Sequence, residues 1–245
     1  VGGGAGGALV GGGGDGVGGG GGGCDGGTGV RDGVIRGSQD GTWTPMAGLG
    51  AFQKAHTVKN PEPDDFEPDG SWYSLVAVRG NLYAVEPNNG ELDKITPEGH
   101  ITRVIDISAS QGHIVPTAVA YRGNFYVGNL NTFPIVQGSS KIYKITPGGQ
   151  ISVFAEGLTT VLGVAIDKRG RIYALENTTN NPFPTPFTGR VVRVTRSGGL
   201  EVIAAGLSLP TAMTFGPDGN LYVSAVGFGA PPVGLGKVLK IEIDD

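Results

Sequence analysis

Short apolar runs recur along this chain, and each is followed by a second run with a tyrosine between apolar neighbours. The tyrosine runs are residues 81–86, 124–129, 171–176 and 220–225, and their tyrosines lie 43, 47 and 49 residues apart. Runs this short, rich in Val, Leu, Ile and Tyr and bounded by Gly, Asn and Pro, indicate β-strands. A period of about 40–50 residues is typical of propeller blades and of helical arrays, and the strand chemistry favours a propeller.

Each repeat predicts four strands, which we call a to d. Strand a is rich in small and β-branched residues and is predicted at residues 73–78, 116–121, 162–166 and 210–215. A tight glycine turn leads to the tyrosine strand, which is strand b. Strand c alternates so that Lys or Arg points outward, at 92–95, 141–145, 191–194 and 238–241. A second glycine turn leads to strand d, at 101–105, 151–154 and 200–203.

Residues 33–36 and 42–44 repeat the pattern of strands c and d, so a further, degraded unit precedes the first full copy. The predicted fold class is therefore all-β: one β-propeller domain over residues 1–245, with five blades of four antiparallel strands visible. The last copy ends after strand c. Closure then needs either a strand from the beginning of the chain or a sixth blade, and we expect six blades in the full protein.

Glycine is concentrated at one end, since 19 of the first 30 residues are glycine against 28 in the other 215. Such a segment is typical of a flexible low-complexity tail. Isolated Ala, Leu, Val, Asp and Cys24 among the glycines favour a different interpretation, a degraded first blade in which glycine stands for unidentified side chains. No function is inferred from these positions.

Composition and charge narrow the function classes. The charged fraction is 16%, the hydrophobic fraction is 38%, and the formal net charge is -4 from interspersed acidic and basic residues. An acidic, mixed surface argues against a nucleic-acid partner. No apolar run approaches the length of about 18 residues expected for a transmembrane helix. One cysteine permits no internal disulfide.

The loops of the predicted blades differ in length between the two faces. The a–b and c–d turns are tight glycine turns, whereas the b–c and d–a connections include long segments at residues 51–70, 108–115, 130–140, 177–189 and 226–236. Long loops on one side of a rigid scaffold commonly carry function. We therefore expect a small molecule or a protein partner to bind the long-loop face.

Oxygen-bearing side chains recur where strand b ends on that face. The residue three after each tyrosine is Glu86, Asn129 and Glu176, with Ala225 in the last copy, and Asn131 and Asn177 follow closely. Glu86, Asn129 and Glu176 would suit a hard cation such as Ca²⁺, which takes about six to eight oxygen ligands. The alternative is that they hydrogen-bond neighbouring loop amides and channel water. Both interpretations stay open at this stage.

Apolar and proline-rich segments form the tips of three long loops, and they carry Phe133, Phe183, Phe187 and Phe228. Phe133, Phe183 and Phe228 are candidate residues for an apolar or aromatic ligand. The alternative is that the loops pack on one another. His113, at the end of a d–a loop, is the one histidine predicted near the channel mouth and is a candidate general base. No phosphate loop, nucleophile elbow or zinc-type spacing is present.

The blades resemble the ScyD/ScyE family of bacterial propellers between about residues 32 and 242, and more distantly the NHL-like and SMP-30-like six-bladed propellers. The segments that carry the resemblance are residues 40–43, 65–70, 81–86, 116–118, 125–129, 132–134 and 210–223. The resemblance implies an exported protein, secreted or periplasmic, with six blades. It supplies no catalytic residues.

Three functions follow as hypotheses. The first, which we favour over an enzyme, is an exported binding or scaffold propeller that uses the long-loop face. The second is a metal-dependent hydrolase of the lactonase or gluconolactonase kind, with Glu86, Asn129 and Glu176 as metal ligands and His113 as the base. The third is a structural surface or filament component that associates through exposed strand edges.

Overall fold

A computed structural model describes residues 8–11, 33–38, 40–61, 72–195, 197–226 and 236–243, the first range by its backbone alone. Cys24, Phe228 and most of the glycine-rich segment lie outside the described residues. The chain divides into two compact units, Val1–His113 and Ile114–Asp245, which we call the amino-terminal and carboxy-terminal units.

The amino-terminal unit contains two antiparallel sheets and two short helices. Its elements are β1 (Ala8–Gly11), β2 (Gly33–Gly37), β3 (Trp43–Gly48), α1 (Leu49–Ala55), β4 (Ser74–Val78), β5 (Asn81–Glu86), β6 (Glu91–Ile95), β7 (Ile101–Asp106) and α2 (Ser108–Gln111). The sheet orders are β1-β2-β3 and β4-β5-β6-β7, so neighbours in sequence are neighbours in the sheet. Val34, Leu49, Trp72, Ala84 and Ile95 form the buried core between them.

The carboxy-terminal unit consists of three antiparallel sheets. Their strands are β8 (Pro116–Arg122), β9 (Asn124–Asn129), β10 (Ser140–Ile145), β11 (Ile151–Leu158), β12 (Val161–Ile166), β13 (Ile172–Glu176), β14 (Gly189–Val194), β15 (Leu200–Leu207), β16 (Ala212–Phe215), β17 (Leu221–Ala225) and β18 (Lys237–Ile241). The first two sheets have four strands and the third has three. Ala118, Ile142, Val164 and Ile172 belong to the core that packs the first sheet on the second.

These up-and-down antiparallel sheets confirm the all-β, propeller-type fold predicted from the repeats. One sheet corresponds to each of the five predicted units, and each predicted strand lies within one or two residues of an observed one at its start. Because the strands are antiparallel, the b–c and d–a connections lie at one end of the strands of each sheet. The glycine turns lie at the other end, as expected. The predicted sixth blade stays a prediction.

Two strands d are longer than the sequence pattern predicted. β11 and β15 each continue for four residues past the expected end, through Ala-Glu-Gly-Leu and Ala-Ala-Gly-Leu. Each extension contains an irregularity in register, and its glycine has a positive φ, 82° at Gly157 and 75° at Gly206. A glycine bulge lets the strand bend and still pair up to its final leucine, which is buried.

Two helices occur where the sequence analysis expected only loop. α1 begins directly after β3, and its Leu49 and Gln53 lie one turn apart on the buried face. Seven residues are too few for a stable isolated helix, so α1 depends on this packing, which a local pattern does not reveal. α2 is a single turn after β7. No helix in the described part of the chain is long and apolar enough to cross a membrane.

Candidate functional site

The last residue of strand b is buried in three sheets, and in each it is one of the predicted oxygen-bearing residues. Glu86 ends β5, Asn129 ends β9 and Glu176 ends β13, and all three are fully buried. Glu86 belongs to the amino-terminal unit and the other two to the carboxy-terminal unit. Burial of such polar groups is tolerated only where hydrogen bonds replace water.

Glu86 holds the turn between β5 and β6. Its Oε1 accepts a hydrogen bond from the backbone N–H of Asn88 at 2.8 Å, and its Oε2 accepts one from the N–H of Asn89 at 2.7 Å. The two carboxylate oxygens therefore satisfy amides that face away from the strand ladder. This arrangement fixes the tight turn that leads into Glu91.

Asn129 joins its own loop to the neighbouring strands. Its Oδ1 accepts from the N–H of Lys141 at 2.8 Å, and its Nδ2 donates to the carbonyl of Ile114 at 3.0 Å and to Oδ1 of Asn131 at 2.6 Å. Asn131 has a positive φ of 67° and donates to Oγ of Ser139 at 2.9 Å. The loop of residues 130–139 is therefore fixed by side-chain bonds at both its ends.

Glu176 joins the end of β13 to the connection between β11 and β12 and to β14. Its Oε1 accepts from the N–H of Thr159 at 2.7 Å, and Arg190 donates to both carboxylate oxygens through Nε and Nη2. Burial raises the pKa of Glu176, and the Arg190 guanidinium and the Thr159 amide oppose that rise. Asn177, also buried, donates from Nδ2 to the carbonyl of Pro210 at 2.9 Å.

In the described structure, the side chains of Glu86, Asn129 and Glu176 are hydrogen-bonded within the protein. Glu86 accepts from amides of its own loop, Asn129 from the amide of Lys141 in β10, and Glu176 from the amide of Thr159 between β11 and β12. Hydrogen bonds to neighbouring amides are the alternative to metal binding considered from the sequence. Among the described residues, no group of three His, Cys, Asp or Glu side chains is placed to hold a metal ion. Ca²⁺ binding by Glu86, Asn129 and Glu176 stays an untested prediction.

The phenylalanines of the long loops are exposed. Phe133 is 55% exposed, Phe183 65% and Phe187 73%, so these rings extend into solvent instead of covering one another. The two loops are joined, because the N–H of Ile135 donates to the carbonyl of Pro182 at 2.9 Å. We call residues 130–139 together with 177–188 the Phe-loop surface. Phe228, the remaining candidate, lies outside the described residues.

His113 lies in the segment between α2 and β8, as the sequence predicted, and its side chain is half-buried. It belongs to the amino-terminal unit and already takes part in a contact. A role as a general base stays a prediction.

A buried acidic cluster in the amino-terminal unit was missed by the sequence analysis. Glu91 and Asp93, at alternate positions of β6, are both fully buried. Glu91 accepts hydrogen bonds from Nε2 of Gln53 at 3.0 Å and from Nε of Arg103. Asp93 accepts from the indole N–H of Trp72 at 2.9 Å. Burial first, and the nearby Glu91 charge second, raise the pKa of Asp93 well above its usual range.

Arg103 connects this cluster to the end of α1. In addition to Glu91, it donates to the backbone carbonyls of His56 and Thr57, and its guanidinium carbon lies 5.8 Å from the centre of the Phe52 ring. A cation at the carboxyl end of a helix also interacts favourably with the helix dipole. A cleft of about 220 Å³ lies beside this contact, bordered by Gln53, Glu91 and Arg103. The sequence contains little indication that Glu91 is buried, because its partners Gln53 and Arg103 come from two separate elements, α1 and β7.

Comparison with solved structures places the chain among β-propellers. It superposes on a chain of the nidogen/laminin complex with a TM-score of 0.55 at 15% identity, covering 79% of this chain and 64% of that one. For virginiamycin B lyase from Staphylococcus aureus with quinupristin the values are 0.52 and 15%, with 86% and 63% covered. For the calcium-binding protein regucalcin from Agrobacterium tumefaciens they are 0.53 and 13%, with 80% and 61% covered.

These likenesses concern the fold, because identities of 13–15% are too low to transfer a site. The chain spans less than two thirds of the length of each of these three structures. No protein-family model and no curated protein matches the sequence.

Proposed function

We propose that this chain is a binding propeller that recognises a protein partner through the Phe-loop surface. The observation that carries the proposal is the exposure of Phe133, Phe183 and Phe187, each more than half exposed on two loops joined by a backbone hydrogen bond. Val136, on the same surface, is 61% exposed. Clustered exposed apolar side chains commonly mark an interaction site, and aromatic residues supply much of the affinity at protein interfaces.

The way in which these loops are held supports a binding role. Asn129 and Asn131 fix the first loop. Thr160 Oγ1 fixes the start of the second by accepting from the N–H of Thr178 and donating to its carbonyl. In the second loop, Thr178 Oγ1 also accepts from the N–H of Thr185 at 3.3 Å and lies 2.6 Å from Oγ1 of Thr188. A surface that is already ordered loses little conformational entropy when it binds. The buried polar residues therefore support the phenylalanines, and the phenylalanines make the contact.

Protruding rings favour a protein over a small molecule as the partner. Small-molecule sites are concave and enclose most of the ligand surface. Side chains that are 55–73% exposed instead suit insertion into a complementary surface on another protein. Membership of the ScyD/ScyE family, export to the periplasm or the exterior and a six-bladed full protein belong to the same proposal.

The other hypotheses gain no specific support. A gluconolactonase-like hydrolase needs free ligand oxygens and a base, whereas the candidate oxygens accept hydrogen bonds from backbone amides. The likeness to calcium-binding regucalcin is one of fold. A structural surface or filament component would use strand edges instead of loop tips, and it is an outcome of the experiment below.

Site-specific photo-crosslinking tests the proposal. A photoreactive phenylalanine analogue is placed at position 183 and, as the matched control, at Val202, which is 52% exposed on β15. In cells that produce the protein, we expect a crosslinked heteromeric product from position 183 that is lost when Phe133→Asp is added. Crosslinking from position 202 alone would contradict the proposal. A product between two copies of the chain would favour the structural component.

A further inference from the structure

The cleft beside α1 is a second candidate binding site, separate from the Phe-loop surface because it lies wholly in the amino-terminal unit. Its apolar walls are Gly50, Val58 and Pro61, and its polar side is formed by Gln53, Asn89 and Glu91. Drug-sized ligands occupy pockets of about 300–1,000 Å³. A volume of about 220 Å³ therefore suits a smaller molecule, of the size of a monosaccharide.

Gln53 supplies the observation that points to a ligand. Its side chain is 9% exposed and borders the cleft, and its Nε2 donates to Glu91 Oε1 at 3.0 Å. That bond fixes which end of the carboxamide faces Glu91, since an amide oxygen would be repelled by the carboxylate. Its Oε1 is buried without a hydrogen-bond partner among the described residues. A buried acceptor without a donor costs free energy, and a donor in the adjacent cleft would remove that cost.

The charges around the cleft specify the kind of donor. Glu91 is buried, but Arg103 pairs with one of its oxygens, so the carboxylate is neutralised within the protein. Arg103 in turn is engaged by the carbonyls at the end of α1. Neither charge of the pair is left to attract an ion, and Lys54, which also borders the cleft, already takes part in another interaction. A ligand that donates O–H groups without carrying a charge satisfies Gln53 and leaves the ion pair in place.

We propose that this cleft binds a small uncharged polyhydroxyl molecule, a monosaccharide or a polyol of similar size. Hydroxyl groups donate to Gln53 Oε1 and exchange hydrogen bonds with the side-chain amide of Asn89, whose amide both donates and accepts. The C–H face of the ligand packs on Val58 and Pro61. Binding links α1 to the turn before β6, so an occupied cleft stabilises the amino-terminal unit against unfolding.

Saturation-transfer NMR with a defined panel tests this proposal. The neutral probes are glucose, galactose, mannose, xylose, N-acetylglucosamine and myo-inositol, and the charged probes are acetate and methylammonium. Three variants are compared with the original chain. Gln53→Met removes the acceptor, Thr57→Trp fills the cleft from its exposed rim, and Gln150→Met, in the turn before β11, is the matched control on an exposed glutamine.

We expect saturable signals from at least one neutral probe. Thr57→Trp should abolish them, Gln53→Met should weaken binding by about three- to tenfold through loss of one hydrogen bond, and Gln150→Met should leave them unchanged. The absence of saturable binding by every neutral probe would overturn the proposal, as would binding confined to the charged probes. Binding that survives Thr57→Trp would also overturn it, because the site would lie elsewhere. Thr57→Trp decides the matter if Gln53→Met fails to fold.

Discussion

Replacing Glu176 by alanine tests whether the buried residue at the end of strand b is a structural support. The carboxylate is fully buried, accepts from the Thr159 amide and pairs with Arg190 through two nitrogens. Its removal leaves that amide without an acceptor and a guanidinium that is 29% exposed without its partner.

The expected loss in the free energy of unfolding follows from these lost partners. Breaking a buried ion pair costs about 3–5 kcal/mol. An unpaired buried amide costs about 1–3 kcal/mol. The exposed part of Arg190 can regain water, and the two costs are not additive, so we expect a loss of about 3 kcal/mol in the free energy of unfolding. For a chain of this length that corresponds to a fall in Tm of about 6–12 °C.

Glu201→Ala is the matched control, because Glu201 pairs with Arg193 between β14 and β15 but is 47% exposed. Exposed pairs contribute about 0–1 kcal/mol. Both variants are measured by urea unfolding followed by circular dichroism, with added Ca²⁺ and with a chelator. We expect Glu176→Ala to lose about 3 kcal/mol under both conditions. Equal losses in the two variants would refute the support role, and a loss seen only with Ca²⁺ would favour the metal hypothesis instead.

Three further predictions concern the remaining polar and apolar residues. Asn129→Leu leaves the Lys141 amide without an acceptor and should cost about 2–3 kcal/mol by calorimetry; no loss would contradict the hydrogen bonds described. Asp93 has a raised pKa in the folded state, so the folded chain binds more protons above about pH 4 and its stability should fall as pH rises from there towards that raised pKa. Asp93→Asn should flatten this part of the pH profile of the unfolding free energy, and an unchanged slope would assign it to other groups. Phe183→Asp should change stability by less than about 0.5 kcal/mol, like other surface substitutions, yet abolish crosslinking to the partner. A large destabilisation would mean that Phe183 supports the fold.

The blades could be predicted from the sequence because their information is local. Strand b was placed at Asn81–Glu86 and Asn124–Asn129, which are its observed bounds, since a tyrosine, a glycine turn and apolar alternation fall within a few residues. The same local pattern located Glu86, Asn129 and Glu176 at the ends of strands. Whether their oxygens face a ligand or a loop amide depends on loop conformation, which no residue pattern specifies.

Features that depend on distant partners were not predictable in this way. α1 is a helix because its Leu49 side packs into the core and Arg103 binds the carbonyls at its end. The burial of Glu91 rests on Gln53 and Arg103, which are 38 and 12 residues away. In the local sequence, charged residues on a strand predict a solvent-exposed face. Asp93 is buried against the indole N–H of Trp72, which is 21 residues away.

The central claim is that the Phe-loop surface makes the contact with a partner, and hydroxyl-radical footprinting tests it most directly. Labelling of the chain alone is compared with labelling of the complex isolated by crosslinking at position 183. We predict that Phe133 and Phe187 lose most of their reactivity in the complex, while Tyr222, next to a glycine turn at the opposite end of its sheet's strands, keeps its own. Protection of Tyr222 with unchanged labelling of Phe133 and Phe187 would contradict the account.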